Sequence, residues 1–286
     1  MSRKARYLLG VVVLVVLSVW VIYGVKTAPL GGLVVCTTLA ATVAYLVGRR
    51  GARRRRADTE ASVACANTGR PGIGTPGIRE GERTIIDQFH RLYYDSVVFS
   101  NTSWLGVTAL KCPLDMWIYQ EIIHEVRPDV IVECGTAHGG SALFLASMCE
   151  LLGKGQVVTM DVEEKPGQPQ HPRIRYLLGS STSGEIVEQV RDAVRDQDRV
   201  MVILDSDHSK DHVLAELGIY SELVTPGSYL IVEDTNLGHP VRPDFGPGPM
   251  EAVEEFLAAR TDFAADRSRE KFFLTFNPGG YLRRSQ

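Results

Sequence analysis

Apolar and polar positions divide the chain into three regimes. The first holds two long runs without a charge. Tyr7 to Val25 reads YLLGVVVLVVLSVWVIYGV, and Leu30 to Gly48 reads LGGLVVCTTLAATVAYLVG. Each has the length of a bilayer-spanning helix, at roughly 20 residues per span. Arg3, Lys4 and Arg6 precede the first run, Arg49, Arg50 and Arg53 to Arg56 follow the second, and the link between them carries only Lys26. The positive-inside rule then predicts a membrane anchor over residues 1–56, a helical hairpin with both ends in the cytoplasm. Two other readings are a cleaved signal peptide and a single anchor with the second run packed elsewhere. The first run is long for a signal peptide, and no clean small-x-small site follows it. The RRGARRRR stretch also suits anionic headgroups.

The second regime, residues 57–82, is poor in apolar residues and contains PGIGTPGIREGE, which reads as a flexible tether. The third, residues 83–286, alternates two periods. Short apolar runs lie at Val130–Cys134, Val157–Met160, Ile174–Leu178, Val200–Leu204 and Tyr229–Val232. Between and after them, Ser141–Leu152, Glu185–Val194, His212–Val224 and Met250–Arg260 carry helical periodicity. Such alternation predicts an α/β domain with a mostly parallel sheet covered on both faces. At the end, Lys271–Phe276 and Tyr281–Arg284 flank Asn277-Pro-Gly-Gly280 and predict an antiparallel hairpin. A doubly wound sheet closed by an antiparallel pair is the Rossmann-like architecture of class I methyltransferases.

Composition adds little to this picture. The 286 residues are 44% apolar and 23% charged with a net charge of −3, so no basic balance points to nucleic acid. The five cysteines, Cys36, Cys65, Cys112, Cys134 and Cys149, form no CxxC pair and read as reduced thiols. Cys134 sits inside a glycine loop, where a small side chain suffices; a nucleophile would need a base that the local sequence does not offer.

The chemistry gathers where strand-like runs end in acids: Glu133, Asp161, Asp205, and Glu233 with Asp234. A single such acid can be a helix cap or a solvated loop residue. Together they point to one crevice beyond the carboxyl ends of the strands. The loop Glu133-Cys-Gly-Thr-Ala-His-Gly-Gly140 has Ala137 where a dinucleotide fingerprint needs its second glycine, and it opens on an acid. An acid suits an amino group better than a pyrophosphate. S-adenosylmethionine offers that group, with Glu133 as its acceptor, directly or through water. Gly135, Thr136, Gly139 and Ser141 would also bind the donor, Asp161 would take both ribose hydroxyls, and Ser180 and Ser181 would border the adenine.

Asp205, Glu233 and Asp234 form a carboxylate set suited to a hard divalent ion such as Mg2+, and Asp205 borders the donor as well. His208 follows Asp205 by three positions and is the candidate base for a substrate hydroxyl. A zinc reading instead uses His208 and His212 with Asp205 or Asp207. His212 also reads as a surface position at a helix start. Trp104, Trp117, Tyr119 and Phe89 to Tyr94 are candidate acceptor-pocket aromatics, or an ordinary helical cap on the sheet. Leu237 to Pro249 is a candidate lid, or a loop without a role.

The stretches NTSWLGVTALKCPLDMWIYQE, VECGTAHGGSALFLAS, LDSDHSKDHV, IVEDTN and FFLTFNPGGYLRR, in this order, resemble the cephalosporin hydroxylase and rhamnosyl O-methyltransferase family. The likeness covers Ile85 to Arg284 and leaves out the membrane runs. It implies a class I methyltransferase fold that binds S-adenosylmethionine and Mg2+. Asp205, Glu233 and Asp234 would hold the metal, and His208, at the base position, leans toward a sugar hydroxyl. The expected enzyme is thus a membrane-anchored, Mg-dependent O-methyltransferase facing the cytoplasm. Its acceptor would be a sugar, a glycolipid or a natural product, small or lipid-linked, and self-association stays open. Two rival functions remain. One is a β-lactam-type hydroxylase with iron on His208, His212 and Asp205. The other is a membrane scaffold that retains the fold without catalysis.

Overall fold

The computed structural model describes residues 79–285. The two long apolar runs and nearly all of the tether lie outside the described residues. Among the described residues no helix is long and apolar enough to cross a membrane.

The chain enters through α1 (Glu80–Asp95), beginning at Glu80 rather than Arg83. A small antiparallel pair follows, β1 (Ser103–Trp104) with β2 (Val107–Thr108), and then α2 (Pro113–Val126). The main body alternates β3 (Val130–Cys134), α3 (Gly140–Leu152), β4 (Gln156–Asp161), β5 (Ile174–Leu178), α4 (Gly184–Asp192), β6 (Val200–Leu204), α5 (Lys210–Tyr220), β7 (Tyr229–Val232) and α6 (Pro249–Ala259). It closes with β8 (Phe263–Ala265) and β9 (Tyr281–Arg284). The main sheet runs β5-β4-β3-β6-β7-β9-β8. Only β9 opposes its neighbours, as the class I methyltransferase expectation requires.

Each central strand is buried on both faces, which is why its sequence is a continuous apolar run rather than an alternating one. Val130 and Val132 face Val213, Leu217 and Tyr220 of α5 and Val253 and Phe256 of α6. Ile131, Met201 and Ile203 face the other way, onto Ile118, Ile122 and Ile123 of α2 and Phe144 and Leu145 of α3.

The expected terminal hairpin is corrected in one respect. The antiparallel strand Tyr281–Arg284 is present, but its outer partner is Phe263–Ala265, not Lys271–Phe276. The reason is competition for the backbone of the latter. The Phe276 amide donates to Asp115 Oδ2 at 2.8 Å, and the Thr275 hydroxyl donates to Asp115 Oδ1 at 2.5 Å. Leu274 and Phe276 pack against Cys112 with Tyr93 and Tyr94. Carboxylate and aromatics of α1 and α2 thus hold this segment away from the sheet.

The register levels the strand ends. Cys134 pairs with Leu204, and Leu204 with Val232. Gly135, Asp205 and Glu233 therefore leave three adjacent strands at one height, and Asp161 ends β4 beside them.

Candidate active site

The β3–α3 turn is shaped by close backbone approach. Gly135 has φ +103, and a Cβ there would lie 1.9 Å from the Asp205 carbonyl oxygen. Only glycine lets the loop touch the end of β6. Gly140 opens α3, and a Cβ there would lie 2.2 Å from the Thr108 carbonyl oxygen, so the segment after β2 is seated directly on the loop.

Asp161 holds this turn. Its Oδ2 accepts from the amides of Thr136 at 3.1 Å and Ala137 at 2.8 Å, and its Oδ1 accepts from the Glu163 amide at 3.2 Å. Two amides that could have faced a pyrophosphate are thus committed to a carboxylate. The arrangement explains physically why the sequence departs from the dinucleotide pattern.

Glu133 lies fully buried beneath the loop. Its Oε2 accepts from the Thr159 hydroxyl at 2.6 Å, and Oε1 has no partner. Burial pushes the carboxyl above its ordinary range, against the pull of the nearby Lys111 cation. A buried carboxylate oxygen without a donor is costly and calls for one. An ammonium group is the donor that also compensates the charge.

A cleft of about 380 Å³ opens above, lined by Gly135, Thr136, Ser141, Asp161, Ser180, Ser181 and Asp205. All of these were expected from the sequence to bound one ligand, and the structure brings them together. Gly139 faces Pro169 and Tyr176 instead. Cys134 is buried against Met160, with its thiol pushed well up by burial, which fits the small-side-chain reading.

The acid cluster is organised differently from the expected triad. Asp205, His208 and Asp234 offer ligand atoms within 4.8 Å of one another. Glu233 is turned elsewhere: its Oε1 accepts from the Lys111 ammonium at 2.6 Å, and the same ammonium donates to Asp205 Oδ2. Glu233 and Asp234 both follow the last residue of β7, so strand pleating does not fix where their side chains point. Asp234, at φ +54, turns toward His208 Nε2, 3.2 Å away. Glu233 is 5% exposed and needs a cation more than an exposed acid does. Burial and the Asp205 charge raise its pKa, while Lys111 pulls it down. Burial also lifts the Asp234 carboxyl, to about 6, with His208 opposing and Asp205 adding to the rise.

The alternative histidine sets are not assembled. His212 Nε2 pairs with the Ser181 hydroxyl at 3.2 Å and lies 3.4 Å from Glu216, and among the described residues it joins no group of three metal-type ligands. Asp207 is committed to the Ser209 amide. The zinc set and the iron set both lose a member for this reason.

Most of the upstream aromatics are cap residues. Trp104 packs edge-on to Phe144 and donates to Ser147, Tyr119 receives the Asn277 amide, and Trp117 is exposed with its indole on Glu121. His90 is buried, stacked on Phe276, and accepts from Asn236; burial brings its pKa down to about 4. The Leu237 to Pro249 loop is tied down through Arg91 to the Pro240 carbonyl and through His239 to Glu251.

Lys111 was missed at the level of sequence. The available signal was a lone charge between apolar neighbours, in Ala109-Leu-Lys-Cys-Pro113. A charged side chain in such a setting either snorkels or meets a buried acid.

Comparison with known proteins is decisive for the family. The profile of the family described as Rhamnosyl O-methyltransferase/CmcI matches residues 96–285. The chain belongs to this family. The rhamnosyl O-methyltransferase of Mycobacterium leprae (strain TN) is 41% identical over 206 residues, covering 70% of this chain and 90% of that protein. The rhamnosyl O-methyltransferase of Mycobacterium tuberculosis (strain ATCC 25618 / H37Rv) is 39% identical over 209 residues, covering 70% and 85%. The sequence-based assignment to an O-methyltransferase family agrees with these relatives. Among solved structures, an apo structure of CmcI aligns with 65% of this chain and 77% of its own, with a TM-score of 0.50 and 23% identity. A CmcI structure with Mg and SAM covers 65% and 78%, at the same TM-score and identity. At that identity the likeness establishes the fold family member's architecture and no more.

Proposed function

We propose that this protein transfers the methyl group of S-adenosylmethionine to a hydroxyl of a rhamnosyl or related sugar, with a divalent ion, Mg2+ by preference, beside the acceptor. The observation that carries the reading is the unpartnered Oε1 of buried Glu133 under an open loop whose amides are already spent on Asp161. Glu133 does not itself line the cleft but lies buried beneath its loop, where its charge disfavours a phosphate above and favours a cationic amino group. Asp161 retains lone-pair capacity for ribose hydroxyls after its three amide bonds. Ser180 and Ser181 border the far end of the cleft, where an adenine fits.

The metal fits the acids present. Asp205 and Asp234 would hold it with His208 nearby, and Glu233 joins only by leaving Lys111. A divalent ion bound there would lower the pKa of a hydroxyl near it. His208 is the base of this chain: with Nε2 facing Asp234, Nδ1 is the nitrogen left to accept the acceptor's proton. Asp234 orients the imidazole. The gain comes mainly from holding donor and acceptor in line.

The sugar follows the naming of the mycobacterial relatives. The apolar runs before residue 56 support a membrane anchor with the catalytic domain in the cytoplasm, hence an acceptor carried on a lipid. The hydroxylase reading has less support, because His212 is held by Ser181 and Glu216, away from its intended iron partners. The test is incubation of the protein with methyl-labelled donor, Mg2+ and a rhamnosylated lipid. Label in a methyl ether of the sugar is the expected result. Product carrying a new hydroxyl and no label would overturn the reading.

A further inference from the structure

Lys111 places a buried ammonium among the acids at the strand ends. Its ammonium is 4% exposed and contacts Asp205 and Glu233, which end adjacent strands β6 and β7, and it also lies close enough to Glu133 of β3 to lower that carboxyl's pKa. One buried cation therefore serves acids from three neighbouring strands. Its position is built rather than incidental. The Lys111 amide donates to the Thr102 hydroxyl at 3.1 Å, and the Ala109 amide to the Thr102 carbonyl at 2.9 Å. Leu110 stands at φ +55, a conformation that costs a branched residue strain. Gly140 lets the backbone at Thr108 and Ala109 sit on the loop, and Pro113 fixes the chain on the other side as α2 begins. The backbone is thus pinned on both sides of Lys111, and the side chain reaches over the strand ends.

We propose that Lys111 is a positioning residue that acts as the resident counter-cation of the acid cluster and competes with the divalent ion for Asp205. This rests on the metal reading of the site. Asp205 belongs both to the Lys111 contact and to the trio with His208 and Asp234. Carboxylates this close repel one another without a cation among them, so the metal-free protein keeps its acids in place through Lys111. When the ion arrives, Asp205 is exchanged from the ammonium to the ion, and Lys111 retains Glu233. The exchange weakens metal binding relative to a site without the lysine, and in return the site does not collapse when empty.

The experiment is Mn2+ binding to the full-length protein, followed by electron paramagnetic resonance of free Mn2+, beside thermal melting with and without the ion. Lys111→Met removes the competitor with little loss of volume. Its melting temperature without metal falls, added Mn2+ raises it by more than in the wild type, and its Mn2+ affinity rises about tenfold or more, the change expected when one close positive charge is removed from the site. A purely structural lysine would lower the melting temperature and leave Mn2+ affinity unchanged or reduced, and that result overturns the proposal. If Lys111→Met does not fold, Lys111→Arg decides: its planar fork grips two carboxylates more firmly, so Mn2+ binds more weakly than to the wild type, and equal or tighter binding overturns the proposal. Wild-type protein that binds no Mn2+ at all would instead sink the metal reading and the competition with it. Wild-type binding with an unchanged Lys111→Met affinity sinks the competition alone.

Discussion

Glu133→Gln separates ligand binding from folding at the deepest point of the site. The side chain is fully buried, and only Oε2 has a donor, the Thr159 hydroxyl at 2.6 Å. The amide keeps the shape and can keep that bond, and it deletes the negative charge meant for the donor's amino group. A hydrogen bond to a charged partner contributes about 1.5–3 kcal/mol, which corresponds to a roughly 10- to 150-fold rise in Kd. Stability moves differently. The replaced group is a buried carboxylate with an orphan oxygen, and burial already disfavours its charged form. Neutralising it costs no more than about 1 kcal/mol and can be favourable. The assay is isothermal titration calorimetry with S-adenosylmethionine and with an analogue lacking the amino group, beside urea denaturation. The variant should lose affinity for the full donor and bind the deaminated analogue as the wild type does. Equal affinity for S-adenosylmethionine in both proteins would refute the assignment of Glu133 to the amino group. Equal weakening toward both ligands would show a general disturbance of the pocket instead.

Three further outcomes follow from the same geometry. The Asp234 carboxyl is lifted by burial from 3.8 to about 6, so it favours the folded state fully below 3.8 and loses that contribution as pH rises through about 6; metal binding needs the ionised form, so Mn2+ affinity should climb between pH 5 and pH 7 in the wild type, roughly tenfold per unit below the midpoint, and a pH-flat affinity would contradict this. Gly135→Ala places a methyl 1.9 Å from the Asp205 carbonyl oxygen at φ +103, and should destabilise the domain by at least about 3 kcal/mol in urea denaturation; a variant within about 1 kcal/mol of the wild type would show the loop to be loosely seated. Asp115→Ala strands the Thr275 and Tyr281 hydroxyls and the Phe276 amide, all buried donors, and should cost about 3–5 kcal/mol while the folded fraction keeps its donor affinity, measured by denaturation and calorimetry in parallel.

Much of the site is legible in the sequence because the sheet is parallel and covered. Its strands read as apolar runs, most of which carry an acid at or just past their carboxyl ends, so Glu133, Asp161, Asp205 and Asp234 are placed near one end of the sheet by the sequence alone. What escapes the sequence depends on tertiary partners. Lys271–Phe276 has the pattern of a strand, yet Asp115 claims its backbone from 161 positions away. Adjacent acids Glu233 and Asp234 look equivalent in sequence, and only the left-handed turn at Asp234 and the reach of Lys111 divide them. Lys111 itself sits 94 positions from Asp205, and no local pattern announces that pairing. The two long apolar runs illustrate the converse: hydropathy and arginine flanks predict membrane spans from the sequence, and both runs lie outside the described residues.

The proposed reaction is methyl transfer from S-adenosylmethionine to a sugar hydroxyl with the aid of a divalent ion. The most direct measurement is transfer of labelled methyl from the donor to a rhamnosylated lipid by the full-length protein, with Mg2+ and after its removal by EDTA, in wild type and Asp205→Ala. A labelled methyl ether is expected with Mg2+, little with EDTA, recovery on adding Mg2+ back, and little in the variant under any condition. Transfer that proceeds equally with EDTA and in Asp205→Ala, or no transfer by folded protein that binds donor, acceptor and Mg2+, would contradict it.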